Sequence, residues 1–365
     1  MKLRLTAAAG LSAALLLTAC AANEIPAQQG SETPGTSGES ASALSGTLAG
    51  KGASSAKVAQ ETWIAAFQTA NTGVTINYAP DGSGSGREAF QQGGADFAGS
   101  DRAFKIEENV AGSFAGCADA SAAIDVPIYV SPIAVIFNLE GVDELNLTPE
   151  LVAKIFRGDV ANWNDPAIAA LNPGVTFPDL AITAVHRSDK SGTTENFTDY
   201  LSVAAAGTWT DEPAEEWALQ GGEAAKGTAG VVAAVTGGSG TIGYADASQA
   251  GTAKIAKIGA EGAFAAPTPE AVMQALEASP LEEGRADNDI AIALDRSAQG
   301  YPLVLVSYGI ACAEYKDATQ GELVKQYFTY LTSEDGQNAA AESAGSTPLS
   351  PTLREQVQAA IATIK

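Results

Sequence analysis

Residues 126–138 read VPIYVSPIAVIFN, and residues 301–311 read YPLVLVSYGIA. Both stretches are long, apolar and rich in β-branched residues, which predicts two buried strands, Val126–Asn138 and Tyr301–Ala311. Two long strands so far apart indicate a chain that leaves one lobe and later returns to it. Elsewhere, short β-like runs alternate with helical patterns, which is typical of an α/β fold. The pattern therefore predicts two α/β lobes with a cleft and a hinge between them.

Length, composition and charge limit the classes of function. The chain has 365 residues, 45% of them hydrophobic and 17% charged, which is enough for two cores and excludes disorder throughout. Its 20 basic and 43 acidic residues give a formal net charge of −23, which excludes a general nucleic-acid binder. The same charge repels an anionic ligand at long range, so an anion site must work through short-range polarity. One histidine and three cysteines cannot build a His/Cys zinc cluster, and we expect no metal and no cofactor.

The first residues are typical of an export signal. Lys2 and Arg4 precede an apolar run, Ala7–Leu17, which has the length of a signal-peptide core and is too short to span a bilayer. The run leads to Leu-Thr-Ala-Cys, ending at Cys20, which looks like a lipobox. We therefore expect Cys20 to be lipidated, with palmitate among its acyl chains, and the protein to be anchored outside the cytoplasm to the cell membrane. The alternative is an ordinary cleavage site that happens to carry a cysteine.

Two further cysteines, Cys117 and Cys312, remain after Cys20 is accounted for. Export to an oxidising compartment favours a disulfide between them, and an even pair is the simplest arrangement. Spacing alone does not show that their Cα atoms lie close enough for a bond. Two buried free thiols are the alternative.

Three loops share one design, in which a strand is followed by small hydroxyl residues and glycines and then by the start of a helix. They are Gly50–Ser55, Asp81–Gly86 and Arg187–Thr193. Each offers free backbone N–H groups at a helix N-terminus, where the helix dipole favours an anion. One such loop is commonly a plain helix cap or turn. Three in one chain, one of them with an arginine, indicate a site for an oxyanion.

Longer motifs extend this pattern. Together with the three loops, Ala95–Asp101, Leu151–Asn172, His186–Thr193 and Gly240–Tyr244 resemble the phosphate-binding lipoprotein of bacterial phosphate-specific ABC importers. The resemblance runs in order over about residues 44–365. It implies the type II periplasmic-binding-protein fold, in which two mixed sheets flanked by helices enclose a ligand cleft and are joined by a two-strand hinge. It also implies inorganic phosphate as the ligand and an ABC permease as the partner of a monomer that is not an enzyme.

The predicted organisation has four parts, of which the first lobe is discontinuous because the chain returns to it. The parts are a signal peptide at 1–19, a flexible stalk at 20–44, a first lobe at 45–129 and 303–365, and a second lobe at 130–302. The stalk follows from a composition rich in Gly, Ser, Thr and Pro without apolar periodicity.

The resemblance also assigns ligand positions. Seven residues match the phosphate ligands of the family and three match supporting positions: Ser54, Ser83, Asp101, Arg187, Ser191, Gly192 and Thr193, with Asp189, Gly82 and Ala53 in support. Ser54 stands where a threonine is usual and keeps the hydroxyl donor, whereas Ser55 replaces an aromatic residue. Arg102 stands where a small residue is common. It either adds a cation near the cleft or pairs with a surface carboxylate, and we prefer the second interpretation.

The chemistry of these residue types suits a phosphate ion. Arg187 supplies one positive charge and a planar fork of donors, and Asp189 can hold its guanidinium in place. Asp101 faces an anion without repulsion only if the ligand carries a proton to donate to it. Phosphate at neutral pH carries one and sulfate does not, so Asp101 is predicted to select between them. The alternative for Asp101 is a helix N-cap.

Two other functions stay open at this point. The same fold can hold another oxyanion, such as sulfate or molybdate, although Asp101 argues against that. A secreted phosphatase with a serine nucleophile would need a general base or a metal. His186 is the single histidine, and at the end of a strand we expect it to be structural rather than catalytic.

Overall fold

The computed structural model describes residues 44–365, in which twelve strands alternate with ten helices. The strands are β1 (Ser45–Gly52), β2 (Gly73–Ala79), β3 (Phe97–Ser100), β4 (Ala123–Asn138), β5 (Asn146–Leu147), β6 (Thr183–Arg187), β7 (Glu223–Ala225), β8 (Thr241–Asp246), β9 (Lys254–Ile255), β10 (Lys257–Ala260), β11 (Ala263–Ala265) and β12 (Val304–Cys312). The helices are α1 (Lys57–Ala70), α2 (Ser83–Gln91), α3 (Pro149–Arg157), α4 (Pro166–Leu171), α5 (Gly192–Ala204), α6 (Gly227–Gly237), α7 (Pro269–Glu277), α8 (Ala318–Leu331), α9 (Glu334–Ala344) and α10 (Pro351–Ala362).

Some of the predictions concern residues before this range. The signal peptide, the lipidated Cys20 and the stalk up to residue 43 lie outside the described residues. In the described part of the chain, no helix is both long and apolar enough to cross a bilayer.

A single path of paired strands crosses the molecule in the order β2-β1-β3-β12-β4-β8-β6-β7, and β9 also pairs with β4. Strand β4 lies in the middle of this path and pairs with the strands on both sides of it. Its residues 123–132 pair with β12, and its residues 133–138 pair with β8. We call the strands β2, β1, β3 and β12 the first half-sheet and β8, β6, β7 and β9 the second half-sheet. Each half-sheet combines parallel and antiparallel pairs, so the predicted α/β fold with mixed sheets is confirmed.

The partner change within β4 occurs between Pro132 and Ile133. The predicted lobe boundaries at residues 130 and 303 stay predictions. A third, small sheet, in the order β11-β10-β5, was not anticipated by the sequence pattern.

Several helices begin and end at local sequence signals, and α3 is an example. Thr148 caps α3 by accepting a hydrogen bond from the Leu151 N–H, Pro149 occupies its first turn, and Gly158 ends it in the left-handed conformation. Helix α9, between α8 and α10, also has local signals: Ser333 caps it by accepting a hydrogen bond from the Gly336 N–H, two acidic residues lie in its first turn, and Gly345 ends it in the left-handed conformation. Tertiary contacts hold it in place, among them the hydrogen bond of 2.7 Å from the Trp63 indole to the Gly336 carbonyl.

The two remaining cysteines meet at the end of β12. Cys117 and Cys312 form a disulfide with a Cα–Cα distance of 5.3 Å, within the range that this bond requires. Both residues are buried in the main hydrophobic core. The bond joins the end of β12 to the segment that precedes β4, and so ties together the two neighbouring strands that carry the junction of the half-sheets.

A buried carboxyl group lies where β4 meets the second half-sheet. Asp246, the last residue of β8, is fully buried and accepts hydrogen bonds from the Tyr129 hydroxyl at 3.1 Å and from the backbone and hydroxyl of Ser248. Burial, together with the charge of Asp101, raises the pKa of Asp246 to about 7 despite the hydrogen bonds from Ser248 and Ser131, which lower it. The native state therefore keeps the Asp246 proton to higher pH than the unfolded chain does.

The raised pKa of Asp246 makes the free energy of unfolding depend on pH. Between about pH 4, where an unfolded aspartate titrates, and pH 7, the native state binds more protons, so the free energy of unfolding falls as pH rises. We expect Asp246→Asn to flatten this slope by up to ~1.4 kcal/mol per pH unit, measured by denaturant unfolding from pH 4 to 8. Asp119→Asn, an exposed carboxylate, is the matched control. Equal slopes for wild type and Asp246→Asn would show that this carboxyl does not titrate in the window.

Candidate functional site

Four helices begin at the junction of the half-sheets. Helices α1 and α2 follow strands of the first half-sheet, and α5 and α6 follow strands of the second. The three segments singled out in the sequence lie in the loops and first turns at the starts of α1, α2 and α5, and residues 226–228 lie at the start of α6. Because a helix N-terminus carries partial positive charge and free N–H groups, the junction is a favourable environment for an anion.

Arg187 and Asp189 form a buried ion pair on the side of the second half-sheet. The Arg187 Nε and Nη2 groups donate to the two Asp189 oxygens at 2.8 and 2.5 Å, and the Gly227 N–H donates to Oδ1 at 3.0 Å. Burial alone would raise the pKa of Asp189, but the hydrogen bond and charge of Arg187 and the Gly227 N–H lower it below its usual value. Asp189 therefore stays ionised and holds one edge of the guanidinium.

The other edge of Arg187 is not used by the protein. The residue is only 3% exposed, yet no acceptor in residues 44–365 is hydrogen-bonded to its Nη1 group. A buried guanidinium normally has its donors satisfied. One planar edge of Arg187 is thus available to a ligand.

Gly82, which follows β2 of the first half-sheet, packs directly against the Arg187–Asp189 ion pair. Its φ of +102° is a conformation that favours glycine, and a Cβ there would lie 2.5 Å from Asp189 Oδ2. The next residue, Ser83, accepts a hydrogen bond of 3.0 Å from the Asp101 N–H. Arg187 and Asp101 therefore lie on either side of the Gly82-Ser83 segment, and the structure brings them to the same place.

Asp101 is a buried carboxyl group surrounded by hydroxyls. Ser55 donates to Oδ1 at 2.6 Å, Ser307 also donates to Oδ1, and Thr193 donates to Oδ2 at 2.9 Å. Burial raises the pKa of Asp101 above its ordinary value, and these hydroxyls and the charge of Arg187 offset only part of that rise. A carboxylate has about four acceptor positions, so three hydroxyls leave about one for a further donor. Asp101 caps no helix, and the N-cap alternative is wrong.

Ser54 completes a ring of contacts that we call the ligand circuit. Its members are Ser54, Ser55, Gly82, Ser83, Asp101, Arg187, Asp189, Thr193, Gly227, Thr228 and Ser307. The Ser54 hydroxyl lies 3.0 Å from the Thr228 hydroxyl and accepts a hydrogen bond of 3.1 Å from the Thr228 N–H. The Gln249 amide donates to the carbonyls of both Ser54 and Ser55 at 2.8 Å. The first half-sheet side thus contacts α6 and its flanking residues directly.

The ten residues that the family resemblance assigns all lie in or next to this circuit. Ser83 and Gly192 face each other, since a Cβ on Gly192 would lie 2.7 Å from the Ser83 hydroxyl. Ser191 caps α5 by accepting from the Thr194 N–H at 3.2 Å, which leaves its own O–H free to donate. Ala53 is fixed to β3 by a hydrogen bond of 2.8 Å from its N–H to the Gly99 carbonyl. Their roles toward a ligand stay predictions.

Sequence reasoning missed several members of the circuit. Ser307, Gly227 and Thr228 were not singled out, and Ser55 stood out only as a departure from the family. Ser307 was detectable, because a serine in the middle of an apolar strand must find a hydrogen-bond partner once it is buried. Gly227 and Thr228 repeat the small-residue pattern before a helix, but their preceding strand, β7, has only three residues and gives little signal.

His186 and Arg102 are both held by contacts with protein side chains. His186 stacks on Trp217 with ring centroids 5.0 Å apart, and its Nδ1 lies 3.0 Å from the Arg187 carbonyl oxygen. Arg102 pairs with Glu108 at 2.7 Å, in line with the preferred interpretation, and also with Glu195 at 3.1 Å across the junction. Within residues 44–365, no group of three or more His, Cys, Asp or Glu is arranged to hold a metal ion.

Comparison with known sequences identifies relatives along nearly the whole chain. The model of the PBP superfamily domain matches residues 37–335. The chain is 35% identical to phosphate-binding protein PstS 3 of Mycobacterium leprae over 360 residues, which is 96% of this chain and 95% of that protein. It is 34% identical to phosphate-binding protein PstS 3 of Mycobacterium tuberculosis over 373 residues, 99% of each.

Solved structures share the fold. A periplasmic phosphate-binding protein (PfluDING), solved with bound phosphate, superposes with a TM-score of 0.70 at 24% identity, covering 86% of this chain and 93% of that one. A phosphate-binding protein from Stenotrophomonas maltophilia gives a TM-score of 0.65 at 21% identity, with coverages of 86% and 93%. At these identities the likeness concerns the two-lobed α/β fold, which agrees with the shared strand β4 and its two half-sheets.

Proposed function

We propose, because this chain belongs to the phosphate-binding PstS proteins of the PBP superfamily, that it binds inorganic phosphate outside the cytoplasm and delivers it to an ABC transporter permease. The observation that carries the proposal is the pairing of two buried groups. Arg187 offers an unused donor edge, and Asp101 offers about one unused acceptor position, on either side of the Gly82-Ser83 segment.

The ligand shell that follows is rich in donors. Arg187 contributes a charge-assisted pair of N–H groups, and the hydroxyls of Ser83 and Ser191 have free protons because each accepts a bond from a backbone N–H. Ser54, Gly192 and Thr193 complete the set, with Ala53, Gly82 and Asp189 holding it in place. Each hydrogen bond to a charged group contributes about 1.5–3 kcal/mol, so several are needed to offset the dehydration of the anion.

Asp101 gives the site its selectivity. A carboxylate next to an anion is repulsive unless a proton lies between them. Hydrogen phosphate can donate that proton to the remaining acceptor position of Asp101, whereas sulfate leaves two anions in contact. The hydroxyls of Ser55 and Ser307 stabilise the charged form of the carboxylate and orient it.

The two lobes and the lipid anchor complete the proposal. The two lobes, residues 45–129 with 303–365 and residues 130–302, enclose the ion in a monomer, and the closed face docks on the permease. We propose that Cys20 carries the lipid that anchors the chain to the membrane, with residues 20–44 as its stalk. The protein acts as a carrier and not as a catalyst, because His186 packs on Trp217 rather than beside a serine of the circuit.

Isothermal titration with phosphate and with sulfate tests the function. Wild-type protein, purified free of ligand, should bind phosphate and bind sulfate far more weakly; equal binding of both, or none of either, would refute the proposal. The same preparation should leave p-nitrophenyl phosphate unhydrolysed, and turnover would favour the phosphatase alternative.

Replacing Asp101 should reduce this selectivity. Asp101→Asn keeps one acceptor oxygen, for Ser55 and Ser307, and puts an amide N–H2 donor in place of the Oδ2 that accepts from Thr193. It removes the negative charge, so sulfate affinity should rise relative to phosphate by about tenfold or more. Asp119→Asn, an exposed carboxylate outside the three loops, is the control. A phosphate-to-sulfate ratio unchanged from wild type would exclude the proposed role of Asp101.

Removing the arginine should weaken binding strongly. Arg187→Ala leaves the anion without its countercharge and Asp189 without its partner, so phosphate binding should weaken by about 3–5 kcal/mol. The control is Arg157→Ala, since Arg157 pairs with Asp211 and is 29% exposed. Comparable losses in the two variants would mean that the effect is not local to the site.

Membrane anchoring has its own test. In cells that process lipoproteins, Cys20→Ala should abolish acyl-chain labelling and move the protein from the membrane fraction to the soluble fraction or leave its signal peptide uncleaved. Unchanged labelling with a fatty-acid analogue would show that the lipid is attached elsewhere.

A further inference from the structure

A second set of charged residues spans the junction outside the ligand circuit. Arg87 lies on α2 and Arg102 follows β3, whereas Glu195 lies on α5 and Glu215 lies in the segment after it. Arg87 Nη2 lies 2.5 Å from Glu215 Oε2, and Arg102 Nε lies 3.1 Å from Glu195 Oε2. Arg102 Nη2 is also 3.9 Å from Glu215 Oε2. We call these four side chains the junction cluster.

The junction cluster is largely removed from solvent. The side chains of Arg87, Glu215, Arg102 and Glu195 are 5%, 15%, 18% and 18% exposed. A second ion pair, between Lys190 and Glu88, crosses the same junction at 2.5 Å, but its side chains are 48% and 52% exposed. Exposed pairs contribute little because water and salt screen them, whereas a buried charge that loses its partner is strongly destabilising. The two pairs are therefore expected to behave differently.

The junction cluster is joined to the ligand circuit through a short segment. Arg87 Nη1 donates to the Ser100 hydroxyl at 2.6 Å, and that hydroxyl donates to the Arg102 carbonyl at 2.6 Å. Asp101 lies between Ser100 and Arg102 in the chain. The same approach of the two half-sheets that brings Thr193 to Asp101 brings Glu215 to Arg87.

We propose that Arg87, Arg102, Glu195 and Glu215 are positioning residues that set phosphate affinity without touching the ligand, by determining how readily the two half-sheet sides come together. The proposal rests on the proposed phosphate binding. Two positive and two negative side chains lose hydration together when the sides meet, and each finds an opposite charge. When Arg87 or Glu215 is neutralised, its partner across the junction is buried unpaired, the bound arrangement becomes less populated, and the apparent affinity falls in proportion. Arg102 also pairs with Glu108 on its own side, so neutralising Glu195 should have a smaller effect.

A double-mutant cycle on the most buried pair tests this. Arg87→Met and Glu215→Gln should each weaken phosphate binding in isothermal titration by about tenfold or more, because each leaves a buried charge behind. The double variant should bind more tightly than the product of the two single effects requires, since it leaves neither charge unpaired. Arg87→Lys, which keeps the charge, should retain most of the affinity and provides a well-folded comparison.

The exposed pair supplies the matched control. Lys190→Gln and Glu88→Gln cross the same junction and should change phosphate affinity by less than about threefold. Small-angle scattering of each variant with and without phosphate should show a smaller ligand-induced compaction at subsaturating phosphate for Glu215→Gln than for Glu88→Gln. Thermal unfolding without phosphate should be similar in both, because Arg87 is hydrated when the two sides are apart and is buried without a partner only when they meet.

The outcomes separate this proposal from the one it rests on. If wild type binds no phosphate, the proposed function fails and the junction cluster has no affinity to set. If wild type binds phosphate but the effects of Arg87→Met and Glu215→Gln are additive, or equal those of the exposed pair, only the role of the junction cluster is overturned.

Discussion

The structure depends on one constraint, which is that strand β4 must serve two sheets at once. Fifteen of its sixteen residues are buried, so both faces are covered along almost its whole length. Pro132 is the last residue opposite β12, and Ile133 is the first opposite β8. Proline cannot donate to a strand ladder and is tolerated at bulges and at the ends of pairing. Pro132 therefore stands where one ladder ends and the next begins, and the two half-sheets meet at that point.

The position of the candidate site follows from this junction. Ser307 on β12 lies opposite Tyr129 on β4, and the pairing shifts register immediately after them. Ser307 bonds to Asp101 on one side, and Tyr129 bonds to Asp246 on the other. The loops that lead into α2 and α5 reach the same place because their strands point their carboxyl ends toward it. An acidic protein with a net charge of −23 can hold an anion there through short-range donors and one arginine.

The residue pattern predicted the long strands, the α/β class and the three glycine- and hydroxyl-rich loops. The ten ligand and supporting positions came from the family resemblance, and their roles toward a ligand stay predictions. Val126–Asn138 stands out because a long apolar run with frequent β-branched residues is typical of a buried strand. The loop residues were accessible because glycine, hydroxyl residues and an arginine combined at the start of a helix are what an anion site requires. Helix α9 was accessible, since Ser333, Glu334 and Gly345 are helix start and stop signals. Thr228 and the small third sheet were not, because the strands involved have only two to four residues and give little local pattern.

The consecutive residues Ser100, Asp101 and Arg102 connect the ligand site to the contacts between the two half-sheets. Ser100 accepts a hydrogen bond from Arg87, Asp101 collects the hydroxyls of the ligand circuit, and Arg102 pairs with Glu195 across the junction. A displacement of this segment would alter all three interactions together, since neighbouring residues of a chain cannot move independently. A proton-bearing anion beside Asp101 and the ion pairs beside it therefore stabilise the same arrangement, so the affinity for the ligand includes the free energy of the junction as well as that of the ligand's own hydrogen bonds.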